Sequence, residues 1–309
     1  MRVIRGLHNL RPEHRGTVAT IGNFDGVHLG HQAVFRQLLD EGRRLGQPVT
    51  VITFEPQPLE YFAPERAPSR LTRLREKLAA IRDAGIHRVL LLEFGRHLAE
   101  MSAREFIHLL LVEKLGVSHL YVGDDFRFGR GREGGFETLV AAGRDLGFTV
   151  DSLDTLELQG ERISSTRIRS ALAAGNLASA NQCLGRPYAI CGRVAHGDKR
   201  GRTIGFPTMN VDLHRHVSPL HGVFAVRVEG LGDEPLPGVA NIGTRPTVTG
   251  DTRYLLEVHL FDFEREVYGA HVNVEFVERI REEKKFESFE VLRKQILVDS
   301  AEARKILGV

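Results

Sequence analysis

Over the first 180 residues, short apolar runs alternate with amphipathic stretches of helical length. Thr17–Ile21, Val49–Phe54, Arg88–Leu92, His119–Val122 and Phe148–Leu153 are dense in aliphatic and β-branched residues, as strands are. Between them, residues 30–45, 71–84, 102–115 and 136–146 predict helices. In 71–84 the apolar side chains recur at Leu71, Leu74, Leu78 and Ile81. Strands separated by helices predict βαβ units and a parallel sheet, and such sheets bind ligands beyond the carboxyl ends of their strands.

The pattern changes near residue 184. Gly222–Val228, Leu255–Leu260 and Val272–Phe276 alternate with period two, and turn signals occupy Gly230–Gly238 and Thr247–Asp251. This predicts an antiparallel barrel or sandwich. A last helix is predicted from Ser288, an N-cap residue with Glu290 nearby. A length of 309 residues suits about two domains, with the boundary near residues 183–186.

Charge narrows the field. There are 42 basic and 40 acidic side chains, a formal charge of +2, so the chain is not a polycation for nucleic acid, although a local basic pocket is allowed. With only Cys183 and Cys191, a disulfide scaffold and a Cys-rich zinc module are excluded. MRVIRGLHNL lacks the apolar core of a signal peptide, and no apolar run approaches the ~20 residues of a membrane span. The expectation is a cytoplasmic protein with small-molecule substrates and neither nucleic-acid nor membrane partners. Its oligomeric state is not legible.

Residues 20–31, TIGNFDGVHLGH, lead from a strand through a Gly-rich turn into a helix near Gly30. Glycines let backbone approach a ligand, and a helix N-terminus offers free N–H groups and partial positive charge to phosphate. His28 and His31 flank that terminus and can donate to charge building on phosphorus. Their i,i+3 spacing, without a Glu or Cys partner, disfavours zinc. In Ile163–Arg169, ISSTRIR, a hydroxyl N-cap alone would be structural. With Arg167 and Arg169 following, the segment becomes a second anion site, and two such sites suggest a polyphosphate. GRGREG at 129–134 fits GxGxxG by letter, but the tight strand-to-helix turn is missing, so a dinucleotide site is disfavoured.

HxGH with ISSTxIR resembles the nucleotidyltransferase superfamily. With TFEPQP (53–58), LTRLREK (71–77) and VGDDFRFG (122–129), residues 1–183 resemble the FMN adenylyltransferase module of bacterial bifunctional riboflavin kinase/FAD synthetases. The resemblance implies a Rossmann-like α/β domain. It implies ATP and phosphate binding by Gly22, Phe24, Asp25, Gly26, His28, His31, Ser164, Thr166 and Arg167, with His28 and His31 catalytic and Asn23 and Asp25 shaping the turn. It puts Pro56, Pro58, Asp125 and Phe126 at the flavin. Gln57 departs from the frequent His of this motif; it can donate a hydrogen bond but carries no charge.

In GRVAHGDKRGRTIGFPTMN (192–210), Pro207 fixes the chain before Thr208 and Asn210, which lie at i,i+2 on an extended segment. Hard oxygen donors suit Mg²⁺ bridged to substrate phosphates. Glu257 shares a strand face with Leu255 and His259. It is an ordinary outward residue or a base for an attacking alcohol. GRTIGFPTMN, ANIGTRPT (240–247), EVHLFDF (257–263) and VYG (267–269) resemble the riboflavin kinase module over residues 184–309. That resemblance implies a six-stranded barrel with Mg-ATP at Thr208 and Asn210. It makes Glu257 the base, places Gly197 and Gly205 in a loop over the phosphates, and leaves Asn241 and Arg245 structural or substrate-positioning. Together the modules would make FMN from riboflavin and ATP, then FAD and pyrophosphate from FMN and a second ATP. A nucleotidyltransferase for another phosphate substrate, and a flavin- or RNA-binding regulator, are the rival readings.

Overall fold

The computed structural model describes residues 1–153, 155–196, 206–213, 217–246 and 252–309. The chain divides into two compact units: Met1–Ala67 with Thr72–Ile163, and Pro68–Leu71 with Ser164–Val309.

The first unit is a six-stranded parallel sheet, in the order β1-β4-β3-β2-β5-β6. Its strands are β1 (Arg2–Arg5), β2 (Thr17–Ile21), β3 (Val49–Phe54), β4 (Arg88–Leu92), β5 (Val117–Val122) and β6 (Thr149–Ser152). Every residue of β2 and β3 is buried, as expected of central strands covered on both faces. The sequence reading passed over β1, an edge strand whose one buried residue is Ile4. The helix Leu29–Leu45 buries Val34, Phe35 and Leu38, and ends at Gly46 in the left-handed conformation. The helix predicted over 71–84 begins at Leu74, where Glu76 Oε2 accepts from the Arg73 N–H at 2.6 Å. The one predicted over 102–115 is π-helical from Phe106 to Lys114. Its sequence, FIHLLLVEK, is apolar nearly all round, and the wider winding buries Phe106, Ile107, Leu110 and Leu111 together. A β7–β8 ribbon (Glu157–Leu158, Glu161–Arg162) precedes the second unit.

That unit opens with helices Ser165–Ala173 and Leu177–Leu184. Six antiparallel strands then close a barrel in the order β10-β13-β12-β11-β14-β9. They are β9 (Ala189–Ala195), β10 (Met209–Val211), β11 (Gly222–Glu229), β12 (Leu236–Pro246), β13 (Thr252–Leu260) and β14 (His271–Arg281). The barrel, rather than the sandwich, is thus the outcome. The turn predicted over Gly230–Gly238 is shorter, because Pro237 and Gly238 already pair in β12. A Cβ on Gly238 would lie 2.5 Å from the His259 carbonyl oxygen, so this strand needs its glycine. Phe224, Val226, Leu256, Val258, Val274 and Phe276 are fully buried. Val223, Ala225, Val239 and Phe261 pack instead with Ala303 and Leu307 of the last helix, Phe289–Leu307. Ser288 caps that helix, its Oγ accepting from the Val291 N–H at 3.3 Å. The expected turn at 247–251 lies outside the described residues. Among the described residues no helix is long and apolar enough to cross a membrane.

Candidate functional site

In the first unit, β2 delivers the chain into the turn 22–28, and Gly22 N–H donates to the Ile52 carbonyl at 3.1 Å. Phe24, Gly26 and Val27 have positive φ, at 48°, 84° and 43°. Glycine accepts that conformation freely, whereas a β-branched valine adopts it only under strain. His28 then caps the helix, its Nδ1 accepting from the His31 N–H at 3.4 Å. The two imidazoles stack with centroids 3.6 Å apart, and Phe24 meets His31 edge-on at 5.1 Å. A Cβ on Gly30 would lie 3.1 Å from the His28 ring, a contact tight enough that the imidazole would have to shift. Burial, then His28 and Lys77, push His31 well below the ordinary histidine range. Its Nδ1 is buried without a hydrogen-bond partner. The arrangement is a candidate cradle for negative charge: an anion beside the ring would favour the protonated imidazole that burial disfavours. Asp25 is buried, and its Oδ1 accepts from Thr72 N at 2.9 Å and from Thr72 Oγ1 at 3.1 Å.

The Glu55–Pro56 peptide is cis, and Pro58 starts a short helix, Pro58–Phe62. Phe54, Tyr61, Phe62 and Phe94 meet edge to face, with centroids 5.3 to 5.8 Å apart. Phe62 is 63% exposed, an apolar face that a planar ligand could cover. Gln57 is buried, and its Nε2 has no hydrogen-bond partner. Asp125 is exposed, while Phe126 is half-buried and stacks on Phe128 at 5.6 Å.

The ISSTRIR segment divides at the unit boundary. Ile163 belongs to the first unit; Ser164, Thr166 and Arg167 belong to the second. Ser164 does cap its helix, Oγ accepting from the Arg167 N–H at 3.2 Å. Thr166 is exposed and Arg167 half-buried. Arg169 Nε donates to the Ser69 carbonyl at 2.6 Å. Around GRGREG (129–134), β5 ends at Val122 and the next α-helix starts only at Phe136, with a 3-10 turn Arg130–Arg132, preceded by Gly129, in between.

In the barrel, Asn210 pairs with Glu257, and Glu257 with Asn241, so three polar residues form one row across β10, β13 and β12. Asn210 is 9% exposed, and Asn241 Oδ1 is buried without a hydrogen-bond partner. A cavity of about 320 Å³ opens on Asn241 and Glu257 of this row, bounded also by Thr208, Arg281, Phe286 and Phe289. Asp299 accepts from Arg281 at 2.7 to 3.1 Å through both oxygens and from Gln295 at 2.8 Å. A second cavity, about 460 Å³, is bounded by Val194, Pro207, Thr208, Phe263, Glu264 and Tyr268. Thr208 lines both. Gly197 and Gly205 lie outside the described residues.

Sequence reasoning left Thr72, Lys77, Arg281 and Asp299 unassigned. Thr72 and Lys77 stood inside LTRLREK, but only the fold brings that segment to the turn. The Arg281–Asp299 pair joins a strand to a helix and has no local signature.

The FAD synthetase family matches residues 10–167, and the riboflavin kinase family residues 184–307. The chain is 54% identical to the bifunctional riboflavin kinase/FMN adenylyltransferase of Escherichia coli K12, over all of this chain and 99% of that protein. It is 51% identical to that of Pseudomonas fluorescens, over 99% and 98%. A crystal structure from Streptococcus pneumoniae described as a macrolide-efflux protein superposes with a TM-score of 0.81 at 30% identity, covering 98% of this chain and 99% of that one.

Proposed function

The chain belongs to the bifunctional riboflavin kinase/FMN adenylyltransferase family, and from that premise we propose which residues carry each reaction. The enzyme phosphorylates riboflavin to FMN with ATP and adenylylates FMN to FAD, releasing pyrophosphate. We assign the adenylyl step to residues 1–183 and the kinase step to residues 184–309.

In the kinase step Glu257 accepts the proton of the riboflavin 5′-hydroxyl as that oxygen bonds to the γ-phosphorus and the bond to ADP breaks. Its row with Asn210 and Asn241 supports this reading. The cavity with the Phe286 and Phe289 walls suits a flat tricyclic ring, and the neighbouring cavity suits the nucleotide, because Thr208 borders both. Mg²⁺ fits the oxygen donors of Thr208 and Asn210, where it would neutralise phosphate charge. Gly197 and Gly205 complete the phosphate loop in this assignment.

In the adenylyl step an FMN phosphate oxygen bonds to the α-phosphorus while the bond to pyrophosphate breaks. The nucleophile is already ionised, so no base is needed. The work is orientation and charge stabilisation by His28, His31 and the backbone N–H groups of their helix. Ser164, Thr166 and Arg167 extend the triphosphate grip. Pro56, Pro58, Asp125 and Phe126 line the flavin side in this assignment, and Phe62 offers an exposed ring. A cytoplasmic location is part of the same proposal.

The observation that carries the assignment is the contrast between the stacked His28–His31 pair and the Asn210–Glu257–Asn241 row. Flavin chromatography tests it. Glu257→Gln should lower FMN formation about 10²- to 10⁴-fold and leave FAD formation from supplied FMN intact. His28→Ala should do the reverse. Equal loss of both activities in either variant refutes the assignment.

A further inference from the structure

The turn 22–28 is held in a conformation its own residues resist. Val27 is buried with φ of 43°, and Phe24 has φ of 48°. Such strain persists only where surrounding bonds over-determine it. Thr72 makes those bonds. Its backbone N–H and its hydroxyl both donate to Asp25 Oδ1, at 2.9 and 3.1 Å. The same hydroxyl accepts from the Gly26 N–H at 2.9 Å. One buried side chain thus closes a cycle from Gly26 N–H through its own hydroxyl to Asp25, and the Asp25–Gly26 peptide cannot rotate without breaking it.

We propose that Thr72 is a positioning residue of the adenylyl site: it holds the turn on which His28 stands without itself touching ATP or flavin. The inference rests on the adenylyl site lying at His28 and His31.

The experiment compares Thr72→Val and Thr72→Ser in the full chain, measuring KM for ATP and kcat for FMN adenylylation. Thermal unfolding of the same proteins reports folding of the parallel-sheet unit, and riboflavin phosphorylation that of the barrel. Thr72→Val removes the hydroxyl at nearly constant volume and should raise KM for ATP about tenfold. Thr72→Ser restores the cycle and should stay within about twofold of the parent. An unchanged KM in Thr72→Val, or a Thr72→Ser as impaired as Thr72→Val, overturns the role of the hydroxyl. If Thr72→Val unfolds, Thr72→Ala, which removes the same hydroxyl, takes its place. His28→Ala separates the premises: if it forms FAD normally the site reading fails, whereas a crippled His28→Ala beside an unaffected Thr72→Val sinks this inference alone.

Discussion

In the parallel-sheet unit the candidate phosphate groups sit on a turn with three positive φ values, whereas in the barrel the candidate base sits mid-strand, paired on both sides. The turn needs outside bonds, those of Thr72, to keep its shape. The barrel row is fixed by ladder register, so Glu257 is placed by the fold itself. What the barrel must add is a wall. It does so with the last helix, tied down by the buried Arg281–Asp299 pair, whose side chains are 16% and 4% exposed. The comparison teaches that a site on a turn is vulnerable at its hydrogen bonds, and a site on strands at whatever covers them.

The largest expected effect follows from that wall. Asp299→Ala removes the bidentate partner of the half-buried Arg281 guanidinium and should destabilise the barrel by about 2–4 kcal/mol. Urea unfolding measures it. A loss below about 1 kcal/mol would mean that the helix is held by Val223, Phe261, Ala303 and Leu307 alone, and the contrast between turn and wall would weaken.

The same contrast explains what the sequence disclosed. Strands β2 to β6 and the helix Leu29–Leu45 were legible because their apolar patterns are local. So were the residues of the turn and of β13, since TIGNFDGVHLGH and LLEVHL are contiguous. The edge strand β1 carries a single buried residue and so no period to read. Thr72 stands 47 positions from Asp25, and Asp299 stands 18 from Arg281. Each of these pairs is created by packing, and no local pattern in the chain announces it.

A smaller effect sharpens the turn's side of the comparison. Burial, with His28 and Lys77, holds His31 well below its ordinary value of 6.5. The unfolded chain therefore binds this proton more readily than the folded one. The stabilising contribution is present above about pH 6.5 and is lost as the pH falls below it. Thermal unfolding from pH 8 to pH 5 should show the decline, and His31→Gln should flatten it. Triphosphate should also flatten it, because anion binding favours the protonated ring. A parent and His31→Gln with parallel pH profiles would remove His31 as the titrating group.

The smallest effect lies at the far end of the same helix. His119 is buried between two carboxylates, Nδ1 at 2.9 Å from Glu41 Oε1 and Nε2 at 2.8 Å from Asp151 Oδ2, with Tyr121 stacked on its ring at 4.4 Å. Hydrogen bonding from Arg44, and then from His119, lowers Glu41 from 4.5 to about 2. Here the folded state gives up the proton more readily, so the contribution is present above about pH 4.5 and is lost as the pH falls towards 2. Arg44 is largely exposed and water screens the pair, so Glu41→Gln should cost only about 0.5–1 kcal/mol at pH 7. The cost should vanish in acid. His31 and Glu41 thus both lose stability on acidification, but in separate windows: His31 just below neutrality, Glu41 only in strong acid. A helix whose N-terminus serves chemistry and whose C-terminus serves only stability should show that separation in unfolding titrations, with FAD formation at pH 7 blind to Glu41→Gln. A Glu41→Gln variant that changed KM for ATP would show that the turn is positioned along the whole helix as well as by Thr72.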